Sequence, residues 1–348
     1  MKKNIFSLLL LLGAFQLSAC AVQPPATPAA TPTSETQALR DKILPEDGDI
    51  GAHDPTIIKE GSVYYRFITG PNIPMACSPD LRQWTSCGHV FLAKPGWTIK
   101  AVPGVAELWA PDIAFFNGKF HLYYSASTFG SNLSAIGLVT SPTLDPKNPS
   151  SVWTDEGVVV QSTFKDTFNA IDPNIVLDNA GQPWLAYGSY WSGIKLRKLD
   201  PQTGKPPAGD TQVTDIAQRQ IAPYAIEGAF ILPRNGEYFL FVSFDACCKG
   251  IDSDYKIMVG RSKTITGPYL DHSGKSMMSG GGSLVLDSEA RWRGPGHNSI
   301  LVDGAKTYLV YHAYDASAAG TPRLRVEELV WDADGWPISP TMQLKSRK

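Results

Sequence analysis

The stretch HDPTIIKEGSVYYRF, residues 53–67, recurs in altered form four more times along this chain. The copies are APDIAFFNGKFHLYY at 110–124, IDPNIVLDNAGQPWLAY at 171–187, IEGAFILPRNGEYFLFV at 226–242 and GHNSILVDGAKTYLVYH at 296–312. Each reads as a polar or acidic residue, a short apolar run, a turn, and a second apolar run rich in aromatics. The leading polar residues, Asp54, Asp112, Asp172, Glu227 and His297, lie 58, 60, 55 and 70 residues apart. A strand–turn–strand unit at such a period marks a repeat architecture. Five small antiparallel sheets arranged around an axis make an all-β, five-bladed β-propeller. In such a ring the same position of every repeat faces one shared cavity. The four carboxylates and the histidine are therefore expected in a single site.

The segments between the repeats supply further strands. AIGLVTSPTL, GIKLRKLDPQTGK, IMVGRSKTITGPYL and RLRVEELVWDADGWP each end at a Pro or Asp-Gly turn signal. No segment longer than ten residues carries a 3.6-residue apolar period, which excludes the eight helices of an α/β barrel. A β-sandwich would leave the period unexplained.

Proline follows Asp54 and Asp172, which predicts extended backbone at both aspartates. Several carboxylates in one narrow cavity push one another's pKa values apart, so that an acid and a base coexist near neutrality. That chemistry suits glycoside hydrolysis. The alternative is that the repeated aspartate caps a turn in each blade. The change to Glu227 and His297, with flanks that differ at every copy, favours function. Trp109, Phe129, Tyr190 and Trp191 sit near these positions among Gly, Ser and Asn, where aromatic rings can stack on the C–H faces of sugars. His297 is placed on the axis, where it either donates to a carboxylate or contacts an ion, with water supplying most of the other ligands.

Of the 348 residues, 1–20 read as an export signal: Lys2 and Lys3, an apolar run from Ile5 to Leu17, then Leu-Ser-Ala-Cys ending at Cys20. This is similar to a bacterial lipobox, which makes Cys20 the lipidated first residue of the mature protein and anchors an otherwise soluble domain to the membrane. A signal cut nearby, giving a periplasmic or secreted protein, is the plainer alternative. Ala21 directly after Cys20, with no Asp there, points to the outer membrane or cell surface in a Gram-negative host. Residues 21–40 read as a Pro/Ala/Thr-rich linker and 41–348 as the catalytic propeller, expected to act as a monomer. A formal net charge of −2 without a basic run gives no footprint for nucleic acid.

Export permits disulfides. Cys77 and Cys87 flank a Ser-Pro-Asp turn, where a bridge would pin a hairpin and free buried thiols are the alternative. Cys247 and Cys248 are adjacent, and either close an eight-membered ring or stay reduced.

Taken together these phrases resemble glycoside hydrolase family 43, and within it the endo-α-1,5-L-arabinanases, over residues 45–345. The marks are HDP at 53–55, ELWAPDI at 107–113, STFGSNLSAIGL at 127–138, NAIDP at 169–173, GSYWSGI at 188–194, IEGAF at 226–230 and GPGHNS at 294–299. The resemblance implies inverting hydrolysis of linear arabinan, with Asp54 as general base, Glu227 as general acid and Asp172 tuning that acid. It implies sugar contacts from Gly130, from Asn169, Ala170, Ile171 and Asp172, and from Ser189, Tyr190 and Trp191. It also implies a calcium or similar ion held through water by His297. An exo-acting arabinofuranosidase or β-xylosidase, or a glycan-binding lipoprotein without turnover, are the competing readings.

Overall fold

The computed structural model describes residues 33–48 and 50–347. The repeats do form blades. The innermost two strands of each are the two apolar runs read above: Thr56–Glu60 with Val63–Phe67, Leu108–Phe116 with Lys119–Ala126, and Asn174–Leu177 with Pro183–Tyr187. Ile226–Arg234 with Glu237–Phe244 and Trp292–Asp303 with Lys306–Asp315 complete the set. The two innermost strands of every blade pair antiparallel.

Side chains alternate between the two faces of a strand, so a blade buried on both faces must be apolar in both registers. Glu237–Phe244 shows this. Tyr238, Leu240, Val242 and Phe244 pack into a core shared with blade three, whereas Phe239 and Phe241 pack toward blade five. There are five such cores among the described residues, one at each interface between successive blades. The fifth, with Ile57, Tyr64 and Trp84 against Leu301, Tyr308 and Val310, closes the ring between blades five and one.

Closure also uses the start of the described chain. Blade five has three strands of its own, the last being Thr321–Glu328. Along its outer edge run residues 42–44 and 50–52, with Leu44 N–H donating to Val326 O and Leu324 N–H to Ile50 O. The helix Ser34–Arg40, capped by the Thr33 hydroxyl, buries Leu39 and packs against the helix Pro340–Ser346. Residues 34–40 of the stretch expected as linker are thus docked structure. Cys20, with the whole of 1–32 in the expected signal and linker, lies outside the described residues.

The entrances of the innermost strands differ from the extended backbone expected before proline. Asp54, Ala110, Asp172, Gly228 and His297 all adopt positive φ, between 46° and 58°. Left-handed backbone is costly for a residue with a side chain and persists where surrounding contacts enforce it. Here each entrance N–H is captured from the preceding blade. Asp54 N–H reaches His312 Nδ1, Ala110 reaches Thr69 Oγ1, Asp172 reaches Ser125 Oγ and His297 reaches Ser243 Oγ, at 2.7–3.1 Å. The acceptors Thr69, Ser125, Ser243 and His312 occupy one position of the second strand. Its counterpart in blade three is Gly188, which has no side chain, and Asp172 Oδ2 takes the Gly228 N–H instead, at 3.3 Å.

Candidate active site

Three of these left-handed entrances, Asp54, Asp172 and His297, face one cavity of about 710 Å³. Asp54, Asp172, Glu227 and His297 line it, as the repeat predicted, together with Trp109, Phe129, Gly130, Asn169, Ile171, Ser189, Tyr190 and Trp191. Phe129 is 83% exposed and Trp191 37%, so two aromatic faces stand open on its wall. Ala170 does not line it. Its side chain is buried, and its N–H donates to Ser162 Oγ.

Asp112 is the main correction. The position equivalent to Asp54 and Asp172 is Ala110, which shares their positive φ and precedes Pro111 as they precede Pro55 and Pro173. Asp112 therefore falls two residues further along its strand, outside the cavity. There its carboxylate accepts from Thr56 Oγ1 at 2.9 Å, Asn174 Nδ2 at 2.8 Å and Ile175 N at 2.8 Å. It ties blades one, two and three together. Burial pushes its pKa up to about 6, against the pull of those donors.

Asp54 sits in the opposite environment. Its Oδ1 lies 2.9 Å from His53 Nδ1 and 3.1 Å from His297 Nδ1, and its Oδ2 accepts from Thr69 Oγ1 at 2.6 Å. Burial alone would raise its pKa, but the charges on His297 and His53 outweigh burial and hold the carboxyl well below its usual range. His312, 3.6 Å from the same oxygen, adds a smaller pull in the same direction. Burial and the neighbouring His53 push its own pKa well below the ordinary imidazole value, and its Nδ1 accepts the Asp54 N–H. His53, although burial opposes it, is raised by the Asp54 charge.

Glu227 stands one residue before the entrance Gly228. Its Oε2 accepts from Ser189 Oγ and its Oε1 from the Tyr255 hydroxyl. Burial raises its pKa more than those two donors lower it. Asp172 is raised well above the usual carboxylate range by burial and then by the charges of Glu227 and Asp54. The cavity thus holds one firmly ionised carboxylate and two that retain a proton longer than an exposed carboxyl does. Gly228 fills a tight spot, at a φ of +57° that costs it less than the Asp, Ala and His of the equivalent entrances. A Cβ there would lie 3.1 Å from His297 Cα and Cγ.

The profile of glycosyl hydrolases family 43 matches residues 49–337. The chain belongs to that family. Within it, the chain is 47% identical over 290 residues to an extracellular endo-α-(1→5)-L-arabinanase of Bacillus subtilis, covering 82% of this chain and 86% of the relative. It is 41% identical to an extracellular exo-α-(1→5)-L-arabinofuranosidase of Cellvibrio japonicus, covering 85% and 88%. The solved Cellvibrio cellulosa α-L-arabinanase in complex with arabinohexaose superposes with a TM-score of 0.82 at 40% identity, covering 86% of this chain and 98% of that one.

Several residues of this family-43 cavity carried no signal that assigned them a role. Tyr255 lies in a third strand region without a motif. His53, and His312 buried behind it, were present in the quoted repeats as flanking letters only. Thr69 lies just beyond the first repeat. Both cysteine pairs are bonded, Cys77 to Cys87 across a hairpin and Cys247 to Cys248 on the cavity wall.

A calcium ion takes six to eight oxygen ligands. Around His297 the nearest carboxylate is Asp54, whose two oxygens are engaged by Thr69 and by imidazole nitrogens. The residues fit such an ion only as a hydrated one, touching His297 through a single nitrogen or a bound water.

Proposed function

We infer that this chain is an inverting endo-arabinanase that hydrolyses α-1,5-L-arabinofuranosidic bonds in linear arabinan. The observation that carries the reading is the pairing of opposite carboxyl environments in one cavity walled by open aromatic faces. Asp54, an anion held by imidazoles, is suited to take a proton from water. Glu227, raised by burial and placed beside Asp172, is suited to deliver one to the leaving oxygen. Asp172 acts through Glu227: its charge disfavours loss of the second proton from the pair. Inversion then requires Asp54 and Glu227 to flank the bond with space for water, about 6.5–9.5 Å between carboxyl groups. Trp109, Phe129 and Trp191 supply stacking faces for furanose rings, while Asn169 and Ser189 supply polar contacts.

Purified protein is expected to release reducing ends from debranched arabinan. Glu227→Gln and Asp54→Asn should each lower kcat by on the order of 10²–10⁴-fold while the protein stays folded. Wild-type turnover in either variant contradicts the assignment. A glycan-binding protein would show no turnover in the wild type.

The relatives named above are described as extracellular, which supports export of this chain. We propose further that Cys20 carries the lipid anchor and that the domain acts as a monomer on the outer face of the cell. Metabolic labelling with an alkyne fatty acid tests the anchor: label lost in Cys20→Ala supports it, and label retained contradicts it. A hydrated calcium ion at His297 would add positive charge at the axial end of the site. Calcium titration of chelator-treated protein, followed by calorimetry, should show binding that His297→Ala abolishes.

A further inference from the structure

The loop after blade four's second strand brings the Cys247–Cys248 disulfide to the cavity wall, with Cys247 half-buried and Cys248 exposed. Cys248 has a φ of 70°, in the left-handed region that favours glycine. Its peptide N–H donates to the Tyr314 hydroxyl at 2.8 Å. The same hydroxyl lies 2.9 Å from His53 Nε2, and His53 Nδ1 lies 2.9 Å from Asp54 Oδ1. The Cys248 sulfur is itself 3.8 Å from His53 Nε2. An unbroken path thus runs from the disulfide backbone to the carboxylate read above as the base.

Once His53 is neutral, above its raised pKa, the hydrogens along this path have one consistent arrangement. Asp54 is ionised and can only accept, so Nδ1 must carry the imidazole hydrogen. Nε2 is then an acceptor and needs a donor, and the Tyr314 O–H is in reach. A phenol has a single proton to give. The Cys248 N–H and the Ser253 hydroxyl both donate to the phenol oxygen, which leaves the Tyr314 proton to point at His53. The partner of one ring nitrogen sets which hydrogen the other carries. The ring plane is held as well, by stacking on His312 with centroids 4.0 Å apart.

We propose that the Cys247–Cys248 disulfide is a positioning device for the base end of the site. Its closed ring keeps Cys248 N–H on Tyr314, Tyr314 holds His53 in one tautomer and orientation, and His53 orients Asp54. Opening the disulfide undoes this. An exogenous dithiol supplies two electrons and two protons, closing to its own cyclic disulfide as Cys247 and Cys248 become thiols. Residue 248, no longer held by the ring, leaves its left-handed backbone and withdraws its N–H from Tyr314. The inference rests on the reading of Asp54 as the base, and predicts a loss in turnover rather than in substrate affinity.

The experiment compares the double substitution Cys247→Ser/Cys248→Ser, Tyr314→Phe, and the three changes combined. With linear arabinan, kcat is expected to fall on the order of 10- to 100-fold in each of the first two, the scale for misplacing a reacting group. KM should change little. The combined variant should fall no further than the worse of the two, because both break the same path. Cys77→Ser/Cys87→Ser should lower Tm but leave kcat alone. Losses that multiply in the combined variant, an effect confined to KM, or wild-type kcat in either arm would overturn the proposal. The ¹⁵N resonances of the His53 ring, assigned by their loss in His53→Gln, give a readout independent of turnover. At a pH above the His53 titration, the wild type should show the Nδ1–H tautomer, and Tyr314→Phe and the serine pair a mixture. An unchanged tautomer in both refutes the wiring, whereas a changed tautomer in a protein inactive on arabinan refutes the assigned substrate instead.

Discussion

Replacing Asp112 separates a structural aspartate from a catalytic one. Three donors converge on its carboxylate: Thr56 Oγ1 on Oδ1, and Asn174 Nδ2 with Ile175 N on Oδ2. Asp112→Ala leaves all three buried and unpaired. At about 1–3 kcal/mol for each stranded group, with relaxation recovering part, the expected loss is about 3–5 kcal/mol. For a domain of this size that lowers Tm by on the order of 10 °C. Asp112→Asn should cost about 1 kcal/mol. Its carbonyl can keep the two nitrogen donors on one side, while its NH₂ donates to Thr56, whose hydroxyl can turn to accept.

The two variants also differ with pH. The folded carboxyl has a pKa of about 6, above the ordinary value of 3.8. The native state therefore binds the extra proton, and the stability this brings is present below pH 4 and lost as pH rises through 6. Asn has no such dependence, so the Tm deficit of Asp112→Asn should shrink between pH 4 and pH 7. Differential scanning calorimetry at several pH values reads both effects, with kcat measured below the transition. A wild-type Tm with turnover lost by orders of magnitude would refute the structural role and restore Asp112 to the site.

Three further outcomes follow from the geometry. The Glu227 charge raises Asp172, so the pair gives up its last proton late; Asp172→Asn ends that coupling, and the basic limb of the kcat–pH profile should move down. Tyr255→Phe removes a hydrogen bond that stabilises the Glu227 anion, so that limb should move up; equal directions in the two variants would contradict the Glu227 assignment. Gly228→Ala places a methyl 3.1 Å from His297 at a φ of +57°, and should cost about 1–3 kcal/mol while lowering kcat. Unchanged activity there would mean His297 is free to shift without consequence.

The propeller was legible because blades must be apolar on both faces, and five copies of the same double run show it. Its phase was not fully legible. Aligning blade two on its acid put Asp112 in the site, whereas the prolines at 55, 111 and 173 mark the equivalent positions. The left-handed entrances were hidden for a different reason. Local preference before proline is extended, and bonds from Thr69, Ser125, Ser243 and His312 overrule it, all of them contacts between blades. Tyr255 likewise reaches Glu227 only through the folded blade. Residues 34–40 look like linker by composition, yet the Thr33 cap and buried Leu39 give a short helix something to dock. Both cysteine pairs could be named from position, but which of the open alternatives each adopts depends on the backbone around it.

The size distribution of products released from debranched linear arabinan, sampled below a few per cent conversion, tests the central claim most directly. An endo-acting enzyme gives a ladder of arabino-oligosaccharides from the first time point, with viscosity falling ahead of reducing sugar. A single short product throughout would contradict it and place this cavity with the exo-acting members of the family.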